Sequence, residues 1–339
     1  MAVTTQATAL RLPDAPVIPG LGFRPFDPGR DYEPFADLIQ AANVSDRVDW
    51  IPTPEDFRAD HQHAAEFDPR RDIALAEVDG ALVAATQTDV RARDGIAVHE
   101  IDGWVRPAWR RRGLGRALLH WAERRSVEVA RVDGRTGPRT FEAWPDEQQV
   151  GAVALYESEG YEIARYGFLM LRDLSDPILD RPLPDGIEIR PVLEDDHRRI
   201  WDADTEAFRD HWSPEERTDA DFERWFASPE LDTSLWQVAW DGDEVAGSVM
   251  NCIYPSENAA LGVSRGWLDH ISVRRPWRRR GVASALIANS LRILRERGLA
   301  EAALGVDAEN LSGALRVYEA MGFRRARTGV CYRKPFSVD

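Results

Sequence analysis

The run Val273-Arg-Arg-Pro-Trp-Arg278-Arg279-Arg280-Gly281-Val282-Ala283-Ser284 concentrates positive charge and small residues at one point of the chain. It reads as an apolar strand end, a turn, and the immediate start of a helix. The first turn of a helix leaves backbone N–H groups unpaired and carries a partial positive charge. Gly281 and Ala283 keep side chains away from those donors, so a diphosphate can approach them closely. Arg278, Arg279 and Arg280 add charge at the rim. A merely solvated helix start is the plainer reading, but clustered arginine at a positive helix end is unfavourable without an anion. The spacing is neither the Gly-x4-Gly-Lys-Ser/Thr of a P-loop nor the Gly-x-Gly-x-x-Gly of a dinucleotide site. It is Arg278-x-x-Gly281-x-Ala283, and an earlier Arg110-x-x-Gly113-x-Gly115 repeats it.

The elements that must position these segments also occur twice. Gly80 of an Asp-Gly hairpin signal recurs at Gly242 and Tyr156 recurs at Tyr318, both 162 positions on, whereas Gly113 recurs at Gly281, 168 on. An insertion near Cys252–Trp267 in the second copy and another after the Arg/Gly segment of the first account for the difference. Each half reads as a short strand (Phe23–Phe26; Ile187–Arg190) followed by two helical stretches (31–43 and 53–66; 194–209 and 218–227). A hairpin comes next, Ile73–Val78 with Leu82–Thr88 and Leu235–Trp240 with Glu244–Asn251. A further strand ends at Val105 or Val273. The helix after it places Leu114, Ala117, Leu118 and Trp121 at i, i+3, i+4 and i+7, one apolar face. A last strand, a short helix carrying the tyrosine, and closing strands complete the unit. The pattern predicts an α/β (α+β) protein of two domains, each a mixed, mostly antiparallel sheet flanked by helices. Expected bounds are a flexible lead-in over 1–19, domains over 20–172 and 186–339, and a proline- and aspartate-rich linker over 173–185.

Length and composition agree with this organisation. A chain of 339 residues, 43% hydrophobic and 30% charged, suits two globular domains. A formal charge of −15 argues against a nucleic-acid partner. Cys252 and Cys331 are the only cysteines, in no metal-ligand spacing, so neither a disulfide framework nor a metal site is expected and a cytoplasmic location is. The first residues lack a secretory pattern, and no apolar run is long enough to span or anchor in a membrane.

The paired motifs resemble those of the GNAT N-acetyltransferases, whose diphosphate-binding signature is an apolar strand end, a proline-containing turn, Arg-x-x-Gly-x-Gly/Ala and an amphipathic helix. Their later signature, Asn-x-x-Ala-x-x-x-Tyr-x-x-x-Gly-Phe, is similar to the run from Asn310 through Tyr318 to Gly322-Phe323. The resemblance covers nearly the whole chain, twice, and the tandem arrangement resembles a branch of the family that acetylates the amine of a sugar-linked cysteine. It implies acetyl-CoA as cofactor and a primary amine, of a small molecule, as acceptor. The backbone of Ile271–Val273 would pair with the pantetheine arm, Arg278–Ser284 would hold the diphosphate, and Asn310 would hydrogen-bond the pantetheine or cap its helix. Tyr318 would protonate the departing thiolate. An amine that is protonated at neutral pH needs a base, and the family habit of a carboxylate on this strand favours Asp269 over the adjacent His270. In the first copy Val105, Arg110, Arg111, Gly113, Leu114, Gly115 and Arg116 would bind the same cofactor. That copy has Gln148 where the second has Asn310 and Gly103 where it has Ile271, so it is expected to turn over slowly or not at all. A non-catalytic acyl-CoA sensor and a protein acetyltransferase are the alternatives. The chain is expected to act as a monomer or homodimer.

Overall fold

The computed structural model describes residues 9–63, 67–214, 216–228, 231–309 and 313–338. In chain order the first half contains β1 (Leu21–Pro25), α1 (Tyr32–Asp46), α2 (Pro54–His63), α3 (Pro69–Asp72), β2 (Ile73–Val78), β3 (Ala81–Arg93), β4 (Ile96–Val105), α4 (Leu114–Ala130), β5 (Arg139–Ala143), α5 (Val150–Ser158) and β6 (Glu162–Asp173). The second half follows the same plan with β7 (Ile187–Arg190), α6 (His197–Phe208), α7 (Asp219–Phe226), β8 (Gln237–Asp241), β9 (Glu244–Cys252), α8 (Pro255–Leu261), β10 (Arg265–Val273), α9 (Val282–Glu296), β11 (Glu301–Asp307), α10 (Ala314–Ala320) and β12 (Arg324–Pro335). The expected class is what forms: helices on a mixed sheet in which antiparallel pairs dominate.

Local chemistry explains the main turns. Asp79 and Gly80, between β2 and β3, both have positive φ (49° and 81°), the backbone of a two-residue type I′ hairpin. Gly22, Phe23 and Arg24 of β1 pair with Glu77, Ala76 and Leu75 of β2. Buried Phe35, Leu38, Ile39 and Ala42 form the stripe that seats α1 on this sheet. In the second half, Leu286, Ile287, Leu291 and Leu294 of α9 do the same against β8, β9 and β10. The insertion near residues 252–267 forms α8, and Trp267 Nε1 donates to the buried Glu257 carboxylate at 2.8 Å.

Two compact units form, and they do not follow the two sequence halves. The first comprises Met1–Ala164, Thr218–Ser228 and Val330–Asp339; the second comprises Arg165–Arg217 and Pro229–Gly329. In the first unit the strand order is β1-β2-β3-β4-β5, completed by the end of β12, whose Tyr332–Pro335 pair antiparallel with Thr140–Ala143. In the second it is β7-β8-β9-β10-β11, completed by β6, whose Gly167–Asp173 pair antiparallel with Glu301–Asp307. Each unit therefore takes its sixth strand from the sequence half whose other strands lie in the other unit. The bounds read from the sequence, 20–172 and 186–339, miss this because the closing strands of each repeat carry no signal naming their partner. Residues 173–185 also pack rather than swing free. Leu174 is buried and its N–H donates to Ala300 O at 2.8 Å, while Ile178 and Leu183 lie against the second unit's core. Of the lead-in, residues 1–8 lie outside the described residues. Leu12 is buried beside Leu114 and Ala117, Leu10 N–H donates to Phe23 O at 2.8 Å, and Asp14 meets His120 at 3.0 Å.

Candidate functional site

Both Arg/Gly segments adopt one backbone conformation. Arg278 is extended (φ −65°, ψ 153°), Arg279 is left-handed (φ 60°), and Gly281 is left-handed (φ 92°) at the N-cap of α9. In the first unit Arg110 is extended (φ −67°, ψ 159°), Arg111 has φ 62° and Gly113 has φ 88° before α4. Left-handed arginine costs about 1–3 kcal/mol and persists only where the surroundings over-determine it. Alternation of this kind curls successive N–H groups toward one centre, an anion-binding concavity. Neither helix start has a side-chain cap, so their first N–H groups stay available.

The arginines divide into two kinds. Arg278 donates to Val273 O (2.8 Å), Ala207 O (3.1 Å) and Asp210 (2.5 Å). Arg110 does the same with Val105 O (3.1 Å), Ala42 O (3.4 Å) and Asp46 (2.6 Å). Arg110 thus ties its loop to the end of α1 and Arg278 ties its loop to the turn after α6, so their charge is neutralised at a carboxylate. Hydrogen bonds from Arg275 and Arg278 hold the Asp210 carboxyl well below its ordinary range. Arg116 is engaged with Glu159 (2.6 Å). Among the described residues Arg279, Arg280 and Arg111 have no ion-pair partner, and Arg112 lies over the Trp109 ring at 4.7 Å. Sequence reasoning treated each cluster as one source of charge for phosphates; the carboxylates that separate them, Asp46 and Asp210, lie some 65 residues upstream and have no motif.

The cleft of the second unit opens where two parallel strands part. β10 and β11 pair over Arg265–Trp267 and Glu301–Ala303 and then diverge, and β10 carries a bulge against β9 between Leu268 and His270. A bulge bends its strand and re-aims the extra residue, here Asp269. The resulting cleft of about 990 Å³ is lined by Ile271, Val273, Arg278, Arg279, Gly281, Val282, Ala283, Ser284 and Tyr318, which the structure brings together. Arg280 and Asp269 are off its wall, and Asn310 lies outside the described residues. Phe208 and His211, which the sequence reading missed, join the lining because α6 packs on β9 and β10. Tyr318 is 7% exposed, and burial pushes its phenol up to about 12.

Two groups on β10 could take a proton. Asp269 is exposed and accepts from Tyr254 Oη at 3.3 Å; burial, with the Asp269 charge beside it, raises the Tyr254 phenol. His270 is 18% exposed at its side chain and meets Asp204 Oδ2 through Nδ1 at 2.9 Å. Arg217 donates to the same oxygen at 2.8 Å. Burial opposes ionisation of Asp204, yet His270 and Arg217 hold its carboxyl below the ordinary range.

The first unit has its own cleft of about 540 Å³, lined by Val105, Arg110, Arg111, Leu114, Gly115, Gln148, Gly103, Trp104 and Tyr156 among others. Gly113 and Arg116 are off that wall, and Pro16 lies 3.2 Å from the point a Cβ on Gly113 would occupy. On β4, burial pushes Glu100 up to about 7. Tyr156 is buried and raised by burial, then by Asp102.

Residues 197–323 match the Acetyltransferase (GNAT) family and residues 69–163 match an Acetyltransferase (GNAT) domain. A mycothiol acetyltransferase of Salinispora tropica is 31% identical over 303 residues, 87% of this chain and 91% of that protein. The chain belongs to the GNAT acetyltransferase family. It is a tandem, acetyl-CoA-dependent N-acetyltransferase. A mycothiol acetyltransferase of Geodermatophilus obscurus is 28% identical over 306 residues, 88% of this chain and 92% of that protein. A GCN5-related N-acetyltransferase from Sphaerobacter thermophilus superposes with a TM-score of 0.69 at 27% identity, over 94% of this chain and 97% of its own. A tandem GNAT protein from the clavulanic acid biosynthesis pathway shares the fold, with a TM-score of 0.65 at 18% identity over 93% and 98% of the chains. Among the described residues, no helix is long and apolar enough to cross a membrane and no cluster of metal-ligating side chains occurs.

Proposed function

We propose that the second unit carries the transfer, and that its acceptor belongs to the class the mycothiol acetyltransferases suggest, the primary amine of a sugar-linked cysteine. The observation that carries this reading is that uncapped, curled N–H groups meet Tyr318 in one cleft while β10 offers Asp269 and His270 as proton acceptors, where β4 of the first unit has Ile101 at the position of Asp269. The cradle fits a diphosphate: Gly281 and Ala283 leave the donors open, and Arg279 and Arg280 have charge to spare. Acetyl-CoA supplies an activated thioester carbonyl. Ile271 and Val273 offer backbone polar groups for the pantetheine arm, and Asn310 completes the set expected to hold it. Tyr318 stays protonated at neutral pH and donates to the departing sulfur.

Asp269 is the carboxylate expected to take the amine proton. A second reading, favoured by the 2.9 Å bond to Asp204, gives that role to His270. Asp204 holds Nδ1, which leaves proton exchange to Nε2, and it stabilises the imidazolium once formed. Activity measured against pH separates the two. Asp269→Asn flattens the acid limb under the first reading and His270→Gln does so under the second. Ala283→Glu places a carboxylate among the diphosphate donors; turnover surviving in that variant would remove the second unit as the site of transfer.

A further inference from the structure

The two clefts are alike at the mouth and unlike at the inner end. Moving inward along the strand from the diphosphate loop, Val105 leads to Gly103 and Ile101 in the first unit, as Val273 leads to Ile271 and Asp269 in the second. Ile271 is packed against the core of its unit. Its counterpart Gly103 has no side chain, and nothing in the backbone demands that. Gly103 is not left-handed, and a Cβ there would meet nothing nearer than Ala85 O at 3.8 Å and Thr86 Oγ1 at 3.9 Å. The space is left open, and the cleft runs through it to Ile101, Leu118 and Leu119, which are 1%, 2% and 4% exposed. Leu286 and Ile287, at the positions of Leu118 and Leu119, are off the wall of the second unit's cleft. Two strand residues advance about 7 Å, so the first cleft extends about that far past Gly103. No charged side chain lines this inner end; its hydroxyls are those of Thr86, which donates to Asp102 O at 2.7 Å, and of Tyr156, which packs in one cluster with Ile101 and Leu119.

We propose that the first unit binds an acyl-CoA whose acyl chain is longer than acetyl, with the chain occupying the space opened by Gly103. The inference rests on the reading that this unit's Arg/Gly loop takes the CoA diphosphate. An apolar pocket that continues inward from a diphosphate cradle is matched by a ligand polar at one end and aliphatic at the other. Each methylene buried there tightens binding roughly fourfold.

The experiment uses the full chain carrying Ala283→Glu, so that only the first unit is left to bind CoA. Calorimetric titration with CoA, acetyl-CoA, hexanoyl-CoA and octanoyl-CoA is expected to give one site, with Kd at least tenfold tighter for hexanoyl than for acetyl. Gly103→Ala is expected to shrink that advantage and Gly103→Ile to abolish it, with CoA itself bound as before. The alanine variant meets only ordinary contacts, and thermal unfolding establishes that both variants are folded. Equal affinity at every chain length, or an advantage that survives in Gly103→Ile, overturns the inference while leaving CoA binding in place. Absence of CoA binding in the Ala283→Glu chain, unaltered by adding Gly115→Glu, removes the CoA reading and the inference together.

Discussion

Replacing Tyr318 by phenylalanine removes one hydroxyl from a buried ring and leaves its packing against Phe323 in place. The phenol sits at about 12, whereas a thiol ionises near 8.5. Full proton transfer to a free thiolate would therefore run uphill by roughly 5 kcal/mol, at 1.36 kcal/mol per pH unit. On the proposed mechanism Tyr318 therefore works as a hydrogen-bond donor to sulfur as negative charge develops, and the net proton comes from the amine. A hydrogen bond to a charged group is worth about 1.5–3 kcal/mol, which corresponds to a loss of roughly ten- to hundredfold in the rate of transfer. Single-turnover release of CoA thiol from preloaded enzyme, followed between about pH 6 and pH 10, measures it. The variant should be slower by that factor at every pH, with no break belonging to Tyr318 in the wild-type profile. A change smaller than threefold would refute the donor role. A wild-type profile that falls as Tyr318 ionises below pH 10 would refute the burial argument behind it.

Asp204→Asn should lower kcat about tenfold or more with KM for acetyl-CoA unchanged if His270 is the base, because the ring loses the partner that fixes its tautomer; equal kcat would return the role to Asp269. Arg279→Ala and Arg280→Ala should raise KM for acetyl-CoA in a salt-sensitive way, whereas Arg278→Ala should mainly lower Tm, by several degrees for a loss of about 1–3 kcal/mol. Gly247→Ala should destabilise by about 1–3 kcal/mol, since its Cβ would lie 2.5 Å from Ser272 O on β10 and backbone has to shift; an unchanged Tm would contradict that geometry. Folding raises Glu100 from 4.5 to about 7, so between those values the folded chain binds more protons and stability falls as pH rises. Glu100→Gln should therefore gain stability relative to wild type as pH rises from about 4.5 to about 7, and keep that gain above it, as read by thermal unfolding.

The shape of the Arg/Gly loops was legible because it is local: glycine and arginine at fixed spacing specify a backbone conformation within a few residues, and both copies adopt it. The hairpins and the apolar stripes of α1, α4 and α9 were legible for the same reason. The sorting of arginines was not, since Arg278 and Arg110 are neutralised by Asp210, in the turn after α6, and Asp46, at the end of α1, and packing fixes where those helices end. The Asp204–His270 contact spans 66 residues and depends on α6 crossing β10. The bulge that re-aims Asp269 is invisible to an alternation rule that assumes an unbroken strand. Gly103 stood in the sequence as a departure from the motif, and only the empty space around it gives the departure a meaning.

The pairing of β12 with β5 and of β6 with β11 bears on how this chain was inherited and how it is made. After the duplication, each unit closes its sheet with a strand encoded in the other half. Deleting either half strips the survivor of its sixth strand and leaves a row of unpaired backbone groups on an edge, an invitation to aggregate. A repeat retained this way persists whether or not it catalyses anything. Synthesis feels the same constraint: the first unit, though translated first, stays open along β5 until β12 has left the ribosome.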